Sequence, residues 1–231
     1  KNTPALYSLM NYSDMVGGTW YPKGGMISVV NAMHQLAVEL GVKFELNVDV
    51  SKINVEHNLA KSVSANTSEF KCDVLISSAD YHFTEQKLLD KVYRNYSESY
   101  WESRKLAPSS LIFYIGVNKK LPKLLHHTLF FYEYFDLHAQ EIYTDPKWPT
   151  NPLIYLSCTS QTDETVAPKD CENLMVLIPI APNLKDDKKT NDRYFDMVVN
   201  RIEKQLGVSI KDNIILRRDF ATSDFIKDYN S

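Results

Sequence analysis

The sequence predicts an α/β (α+β) protein in which helices flank a mixed β-sheet. Two observations carry this prediction: apolar residues recur with helical spacing in some segments, and in others they alternate or run together as strands require. The 231 residues include 44% hydrophobic and 24% charged side chains, which are ordinary proportions for a globular protein. A chain of this size buries roughly 70% of its unfolded surface, so a full hydrophobic core is expected.

Two helices are predicted in the first forty residues. The residues at 2–4, Asn-Thr-Pro, combine a capping residue with a first-turn proline, and the helix that they start should end at Gly17-Gly18. Apolar residues with a helical period then extend from Met26 to Leu40, and Gly41 ends this second helix. Its apolar face indicates that it packs against another element.

Strands follow the helices. Phe44 to Val50 alternate between apolar and polar residues, and His57-Asn58 predicts a turn into a short strand near residues 61–63. The run from Cys72 to Ala79 is so continuously apolar that it predicts a buried strand. The same criteria predict strands at 110–117, 128–131, 153–157, 174–180 and 214–216, a short helix at 84–89, and helices at 189–206 and from residue 223. Because the chain opens without Met and the last helix has barely begun, we expect a fragment of a longer protein.

Composition and charge exclude several classes of function. With 26 basic and 29 acidic side chains the net charge is −3, which disfavours a nucleic-acid partner. The seven glycines form neither G-x-G-x-x-G nor G-x-x-x-x-G-K-[ST], so this chain carries no dinucleotide fingerprint and no phosphate loop. An apolar run of about 18 residues is absent, which excludes a membrane span and leaves peripheral attachment open.

The spacing of cysteines and histidines predicts no metal site. Cys72, Cys158 and Cys171 lie far apart without a C-x-x-C pair, so neither a disulfide framework nor a thiolate zinc site is expected, and a reducing, cytoplasmic compartment fits best. Adjacent histidines on a strand point to opposite faces, and H-E-x-x-H and G-x-S-x-G are both missing, so metal and hydrolase chemistry are disfavoured. The densest group of metal-ligand residue types, for which structural or surface roles are favoured, is His126, His127, Glu133, Asp136, His138 and Glu141.

Gly24-Gly25 is the first candidate for a binding role. Two residues without a Cβ let the backbone approach a flat ligand or another chain closely, although a tight entry into a packed helix also explains the pair. Similarly, the alternation of Leu111, Phe113 and Ile115 fits a sheet that is buried on both faces, with an apolar cavity as the alternative.

Several motifs occur in a fixed order along nearly the whole chain. They are Ala5-Leu-Tyr-Ser-Leu-Met-Asn-Tyr, Gly18-Thr-Trp-Tyr-Pro-Lys-Gly-Gly-Met26, Ser77-Ser-Ala-Asp-Tyr81, Ser99-Tyr-Trp101, Leu106-Ala-Pro-Ser-Ser110, His126-His-Thr128 and Thr162-Asp-Glu-Thr-Val-Ala-Pro168. Together they resemble the middle of the bacterial and fungal type of phytoene desaturase, a carotenoid desaturase of the monoamine-oxidase-like flavoprotein superfamily. The glycine-rich FAD fingerprint and the C-terminal segment of that family are absent from this chain.

The resemblance implies positions for the cofactor and the substrate. Gly24 and Gly25 would lie near the flavin ring, Val50 would meet the adenine through its backbone, and Ala79 would end a strand close to the cofactor. The substrate-binding residues that we expect on this basis are Met26, Phe113 and Ile115, and the resemblance supplies no catalytic side chain.

The resemblance also implies a division into domains. Residues 1–19 would form a helical entry segment of the substrate domain, residues 20–80 an incomplete piece of the FAD-binding Rossmann-like domain, and residues 81–231 the substrate-binding domain. FAD would be the cofactor of the full-length parent, but this fragment is not expected to retain it or to be active. The pyrophosphate site at a helix N-terminus belongs to the missing part.

The implied reaction is a hydride transfer from a polyene precursor, such as phytoene, to flavin, which creates a conjugated double bond. Such a substrate partitions into lipid, so we expect the parent enzyme to be cytoplasmic and attached peripherally to a membrane surface. Exposed apolar edges of the flavin-domain piece, near Val74 to Ala79, predict association into a homo-oligomer. The alternatives are another enzyme of the superfamily, either a carotenoid saturase or an amine oxidase, and a non-catalytic module that binds apolar ligands.

Overall fold

The computed structural model of the protein describes residues 5–131 and 135–230. The predicted helix start at residues 2–4 and the predicted metal-ligand candidate Glu133 lie outside the described residues. The α/β class is confirmed, and the sheets and helices follow each other in the predicted order along most of the chain.

The N-terminal segment is helical up to the predicted glycine stop. A 3-10 turn at Ala5–Tyr7 leads into α1 (Ser8–Tyr12), and a π-helical turn covers Ser13–Gly17. The second helix, α2 (Ile27–Glu39), also lies where the apolar periodicity predicts it. It ends where Gly41 adopts a φ of +87°, a conformation that L side chains rarely take.

The apolar face of α2 has no partner in the described part of the chain. Its valine, methionine and leucine side chains are largely exposed, with Met33 exposed by 68%. The expectation that this helix packs against another element is therefore not met within these residues.

A small antiparallel sheet follows α2. It has the strand order β1-β2-β3, with β1 (Val50–Glu56), β2 (Leu59–Ala65) and β3 (Ser68–Lys71). His57 and Asn58 connect the first two strands, and both have a positive φ, as a tight hairpin turn requires. The turn and β2 agree with the sequence prediction, whereas β3 was not predicted.

Two predicted strands do not form. The segment from Phe44 to Asp49 and the segment from Val74 to Ser78 have no strand assignment, because no neighbouring strand within the described residues pairs with either of them. The second segment is also not buried, since the side chains of Val74 and Ile76 are 77% and 87% exposed. Alternation and an apolar run show that a segment could form a strand. They do not show whether a second strand is available to pair with it.

Short helical pieces connect the two sheets. They are α3 (Tyr81–Phe83), a π-helical turn at Thr84–Leu88, a 3-10 turn at Lys91–Tyr93 and α4 (Glu98–Glu102). The first piece begins earlier than the predicted residue 84, because the Asp80 carboxylate accepts a hydrogen bond from the Phe83 backbone N–H at 2.8 Å and caps the helix there.

The second sheet has five strands in the order β5-β6-β7-β4-β8. β4, β7, β8 and the long helix contain the residues predicted for them, whereas β5 ends one residue before the predicted Phe131 and β6 begins one residue after the predicted Leu153. The elements are β4 (Ser109–Val117), β5 (His127–Phe130), α5 (Phe135–Tyr143), β6 (Ile154–Ser157), β7 (Glu172–Ile180), α6 (Lys188–Leu206), β8 (Ile214–Phe220) and α7 (Thr222–Tyr229).

The expectation of a mixed sheet is wrong, because every pair of neighbouring strands in the described residues is antiparallel. β7, α6 and β8 follow one another as in a parallel crossover unit. However, β4 lies between β7 and β8 and runs opposite to both of them. β7 and β8 therefore run parallel to each other and are connected by a helix, but they are not neighbours in the sheet.

The core lies between this sheet and α6. Alternate β4 side chains, including Phe113 and Ile115, are almost completely buried, and the Phe113 and Phe195 rings meet edge to face at 5.4 Å. Tyr194, Val198 and Ile202 from α6 complete the same cluster. The other face of the sheet remains free of α6 and borders the site described next.

Candidate functional site

Three segments that are distant in sequence meet beside the glycine pair. The Gly24 backbone N–H donates a hydrogen bond to the Asp163 carboxylate at 2.6 Å. The Tyr21 ring packs edge-on against the His126 ring, with 4.8 Å between their centroids. Residues 21–25, 126–127 and 162–166 therefore form one site.

The glycine pair has a backbone that other residues would strain. Gly24 and Gly25 have φ values of +86° and +87°. A Cβ on Gly24 would lie 2.7 Å from the Ser28 hydroxyl, and one on Gly25 would lie 3.4 Å from the Tyr21 hydroxyl. The missing Cβ atoms thus let the turn pack closely against the side chains of Ser28 and Tyr21.

The Asp163 carboxylate holds this turn in place. Besides the Gly24 N–H, it accepts hydrogen bonds from the Thr165 backbone N–H at 2.9 Å and from the Thr165 hydroxyl at 2.6 Å. These bonds, with the Thr165 hydroxyl contributing most, lower the pKa of Asp163. A carboxylate that is bonded in this way is a weak proton acceptor, so its role is to position the turn.

A polar cavity of about 710 Å³ opens beside Asp163. It is bordered by residues of both charges and by the histidine pair, among them Thr19, Tyr21, Lys23, His126, His127 and Glu164. Its size is in the range of cavities that hold small molecules and cofactors.

The two histidines lie side by side at this cavity. Their ring centroids are 4.3 Å apart, so the expectation that they point to opposite faces is wrong. The reason is that β5 begins at His127, while His126 lies in the bend before it and escapes the alternation of the strand. His126 Nδ1 is 2.6 Å from the Thr162 hydroxyl, and His127 Nδ1 is 2.7 Å from the Tyr155 hydroxyl.

Two further metal-ligand candidates, His138 and Glu141, have structural partners. His138 lies 2.8 Å from the Pro179 carbonyl through Nε2 and accepts the Leu153 N–H through Nδ1. Glu141 accepts hydrogen bonds from the Thr150 backbone N–H and hydroxyl. Over residues 5–131 and 135–230, no three histidine, cysteine or acidic side chains are grouped closely enough to hold a metal ion.

An apolar cleft of about 440 Å³ lies on the free face of the five-stranded sheet. Tyr114 and Gly116 of β4 border it, together with Met175 from the neighbouring β7. Val166 also lines the cleft, and its Cγ1 would lie 3.5 Å from a Cβ on Gly25. Val166 therefore lies between the apolar cleft and the glycine pair.

The predicted substrate residues have different surroundings. Phe113 does not border the cleft, and Ile115 borders it with only 2% of its side chain exposed, because both belong to the core on the α6 side. Met26 is 62% exposed and lines neither cavity. The face of β4 that is available to a ligand is thus the one with Tyr114 and Gly116.

None of the four predicted cofactor residues lines either cavity. Gly24 and Gly25 lie in the turn next to the polar cavity, Val50 begins β1, and Ala79 lies in the exposed segment after β3. Conversely, sequence reasoning gave no role to Tyr21, Thr162 or Asp163. All three residues belong to motifs on which the family resemblance rests. Their spacing in the sequence did not indicate that these motifs contact each other in the fold.

No helix in the described residues is both long enough and apolar enough to cross a membrane.

The fold itself is shared with solved structures. An oxidoreductase from Methanosarcina mazei superposes with a TM-score of 0.66 at 16% identity, covering 94% of this chain and 47% of that one. A Pyrococcus furiosus protein superposes with a TM-score of 0.57 at 16% identity, covering 86% and 43%.

Curated sequences show more specific similarity. A carotenoid 3,4-desaturase of Haloarcula japonica is 37% identical over 233 residues, and a 4,4'-diaponeurosporene oxygenase of Staphylococcus aureus is 31% identical over 236 residues. Both alignments cover 100% of this chain and 47% of the relative, so the chain spans about half the length of these relatives. The resemblance to carotenoid desaturases is confirmed. A sequence profile described as flavin containing amine oxidoreductase matches residues 1–228, and with nearly every residue inside that match, the chain belongs to this flavoprotein family.

Proposed function

We propose that this chain is the central part of an FAD-dependent carotenoid desaturase. The parent enzyme takes a hydride and a proton from neighbouring saturated carbons of a phytoene-like precursor and leaves a conjugated double bond. The observation that carries the proposal is that an apolar cleft lies beside the glycine turn with only Val166 between them, because a long apolar chain in the cleft would lie close to that turn.

A flavin ring would lie in the cavity of about 710 Å³ beside the glycine turn, which residues such as Thr19, Lys23 and His127 line. The positive φ values of Gly24 and Gly25 shape the neighbouring turn, and the space of their missing Cβ atoms is taken by the side chains of Ser28, Tyr21 and Val166. When bound, flavin supplies an acceptor for a hydride and its electron pair. Contacts of Val50 and Ala79 with the cofactor remain predictions from the family resemblance, as do the domain limits at residues 20–80 and 81–231.

The role of the sheet is to hold the substrate and exclude water. The cleft is lined by side chains such as Tyr114, Met175 and Leu216, which offer a polyene dispersion contacts but few hydrogen-bond partners. Positioning of this kind lowers the barrier because the reacting carbon is held near its acceptor. We therefore propose that the substrate contacts the face of β4 that carries Tyr114, and not Phe113 and Ile115 on the opposite face.

The exposed apolar surfaces support a second part of the proposal. In the full-length protein, further chain covers the apolar face of α2 and the segment from Val74 to Ser78. The isolated chain, which leaves both exposed, associates through them and does not retain FAD. The parent enzyme is cytoplasmic and takes its lipid-soluble substrate at a membrane surface, to which it binds peripherally.

The test uses the full-length protein that contains this chain, with phytoene and 4,4'-diaponeurosporene as probes. We expect bound FAD, its reduction by at least one probe without oxygen, and a product that has lost a pair of hydrogens. A product that gains oxygen would assign the site to oxygenation instead, as the name of the staphylococcal relative suggests. Reduction by simple amines but not by either probe would favour an amine oxidase.

A variant within the cleft sharpens this test. Met175→Asp places a carboxylate in the apolar lining, where an unpaired charge costs at least about 1.4 kcal/mol, so we expect turnover to slow by about tenfold or more. FAD content should not change, because Met175 does not line the cavity beside the glycine pair. Val92→Asp is the matched control, since Val92 is exposed and lines neither cavity.

A further inference from the structure

One end of the five-stranded sheet collects lysine side chains. β4 ends there at Val117, and β7 and β8 begin beside it, since Val117 pairs with Glu172 and with Ile214. The connection from β4 to β5, residues 118–126, lies at this end, and we call it the basic loop. It contains no acidic residue, and its lysines are Lys119, Lys120 and Lys123. The loop therefore brings three positive charges to this end of the sheet.

Two of these charges have no acidic partner. The ammonium groups of Lys119 and Lys123 donate hydrogen bonds to backbone carbonyls just after the end of α6 and at that end, at 3.4 Å and 3.0 Å respectively. Neither forms an ion pair with a carboxylate within the described residues. Lys120 differs, because its ammonium group lies 3.4 Å from the buried Glu172 carboxylate. The loop thus keeps an uncompensated positive charge.

Exposed apolar side chains lie at the same end of the sheet. Leu125 of the basic loop is 69% exposed, and Ile215 and Leu216 near the start of β8 are more than half exposed. Lysines next to exposed apolar side chains are typical of a surface that contacts lipid. The ammonium groups are attracted to anionic headgroups, while the apolar side chains leave water for the acyl chains.

The apolar cleft also extends to this end. Its lining on β4 runs up to Val117, the last residue of that strand, and it includes Ile215 and Leu216 of β8. These two β8 residues therefore belong both to the cleft and to the exposed apolar surface. A lipid-soluble chain that left a membrane at this surface would enter the cleft without crossing water.

We propose that this end of the sheet, formed by the basic loop with Ile215 and Leu216, docks on a membrane that contains anionic lipid. The inference rests on the proposed function and deepens it, because it names the surface and the lipid class for the peripheral attachment. The lysines contact the lipid phosphates, Leu125 enters the layer of acyl chains, and the cleft faces the membrane.

The first measurement is sedimentation of the full-length protein with vesicles. One kind of vesicle contains phosphatidylcholine alone, and the other also contains phosphatidylglycerol, which carries a negative charge. We expect tighter binding to the second kind and a decrease of that binding as salt is added, because salt screens the lysines from the headgroups. Equal binding to both kinds of vesicle would overturn the proposal.

Paired variants show whether the basic loop is responsible. A lysine near an anionic surface strengthens binding by about fivefold, so Lys119→Gln combined with Lys123→Gln should weaken binding to phosphatidylglycerol vesicles by about 30-fold. Lys188→Gln combined with Lys189→Gln is the matched control, since it removes the same charge from two exposed lysines at the opposite end of α6. Equal losses in both double variants would mean that net charge attracts the protein, and the proposed surface would be wrong.

Leu125→Ser examines the apolar part of the surface. The exposed leucine makes little contribution to the core, so the variant should fold, and loss of its burial in lipid should weaken vesicle binding by about tenfold. Val92→Ser is the control, because Val92 is an exposed apolar residue that precedes β4 and lines neither cavity. Unchanged binding in Leu125→Ser would contradict insertion of the basic loop.

Lysine acetylation requires no variant. Sulfosuccinimidyl acetate followed by peptide mass spectrometry gives the reactivity of each lysine in the full-length protein. We expect Lys119 and Lys123 to react in solution and to be protected by phosphatidylglycerol vesicles, whereas Lys188 and Lys189 react in both conditions. If the basic loop is unreactive without vesicles, further chain or a second copy covers this surface, and the proposal is overturned.

The outcomes separate this proposal from the proposed function. If neither phytoene nor 4,4'-diaponeurosporene reduces the flavin but the vesicle results are as expected, the desaturase function fails and the docking surface stands. If a probe reduces the flavin but both double variants bind vesicles equally, the docking surface is wrong and the function stands.

Discussion

Asp163 accepts a hydrogen bond of 2.6 Å from the backbone N–H of Gly24, across 139 residues of sequence. The same carboxylate is fixed by the backbone and hydroxyl of Thr165. It thus ties the glycine turn before α2 to the loop between β6 and β7. The position of the glycine turn therefore depends on Asp163, which lies far from it in the sequence.

The first prediction concerns the pH dependence of this link. Because the folded-state pKa of Asp163 lies below its ordinary value of 3.8, the link is complete above that value and is lost as pH falls through the lower folded value. We expect Asp163→Asn in the full-length protein to release flavin already at neutral pH, measured by flavin fluorescence in the filtrate. Asp187→Asn removes a carboxylate of similarly lowered pKa that caps α6 away from the site, and it should leave flavin content unchanged.

The second prediction concerns the glycine turn. Gly25→Ala should destabilise the protein by about 1–3 kcal/mol, because alanine is strained at a φ of +87°. Gly41→Ala has the same φ but no atom within 4 Å of the added Cβ, so its cost should be similar. Urea denaturation measures both. Only Gly25→Ala should also reduce flavin content, and equal flavin loss in both variants would show that strain alone is responsible.

The third prediction separates the two faces of β4. Phe113→Ala should lower the free energy of unfolding by about 3–5 kcal/mol, since the ring is fully buried against Phe195. Tyr114→Ala, at a side chain that is 42% exposed, should change it by less than about 1 kcal/mol but slow carotenoid turnover. A turnover defect that appears only with Phe113→Ala, measured at a temperature where that variant is folded, would return the substrate to the other face.

The fourth prediction concerns thiol reactivity. Cys158 is fully buried, and burial raises the pKa of its thiol, so little reactive thiolate is present near neutral pH. We expect iodoacetamide to label the partly exposed Cys72 and Cys171 in the folded protein and to label Cys158 only in urea. Peptide mass spectrometry gives the extent of labelling at each site. Equal labelling of all three under native conditions would contradict the packing around β6.

Much of the fold follows from local sequence patterns. Apolar periodicity and a terminal glycine located α2 and α6, since both signals arise within one helix. Patterns of two-residue period located β4 and β7 for the same reason. The alternating pattern from Phe44 to Val50 gave a wrong prediction because a strand also requires a neighbouring strand to pair with. The local sequence does not show whether such a strand is present.

The site was less accessible to prediction than the fold. The glycine pair was found because two adjacent residues without a Cβ are visible in the sequence itself. The role of Asp163 could not be found, because its partner is a backbone N–H far away in sequence. The burial of Phe113 also depends on which face α6 covers, and alternation alone leaves the two faces of β4 equivalent.

The position of β4 in the sheet has a consequence for synthesis of the chain. Both neighbours of β4, namely β7 and β8, are made after it, so a very apolar strand leaves the ribosome with neither edge paired. Until residues 172–180 emerge, β4 is an exposed aggregation-prone segment. Folding of this region is dominated by contacts between distant residues and is therefore slow, so the nascent protein should depend on chaperones during that interval.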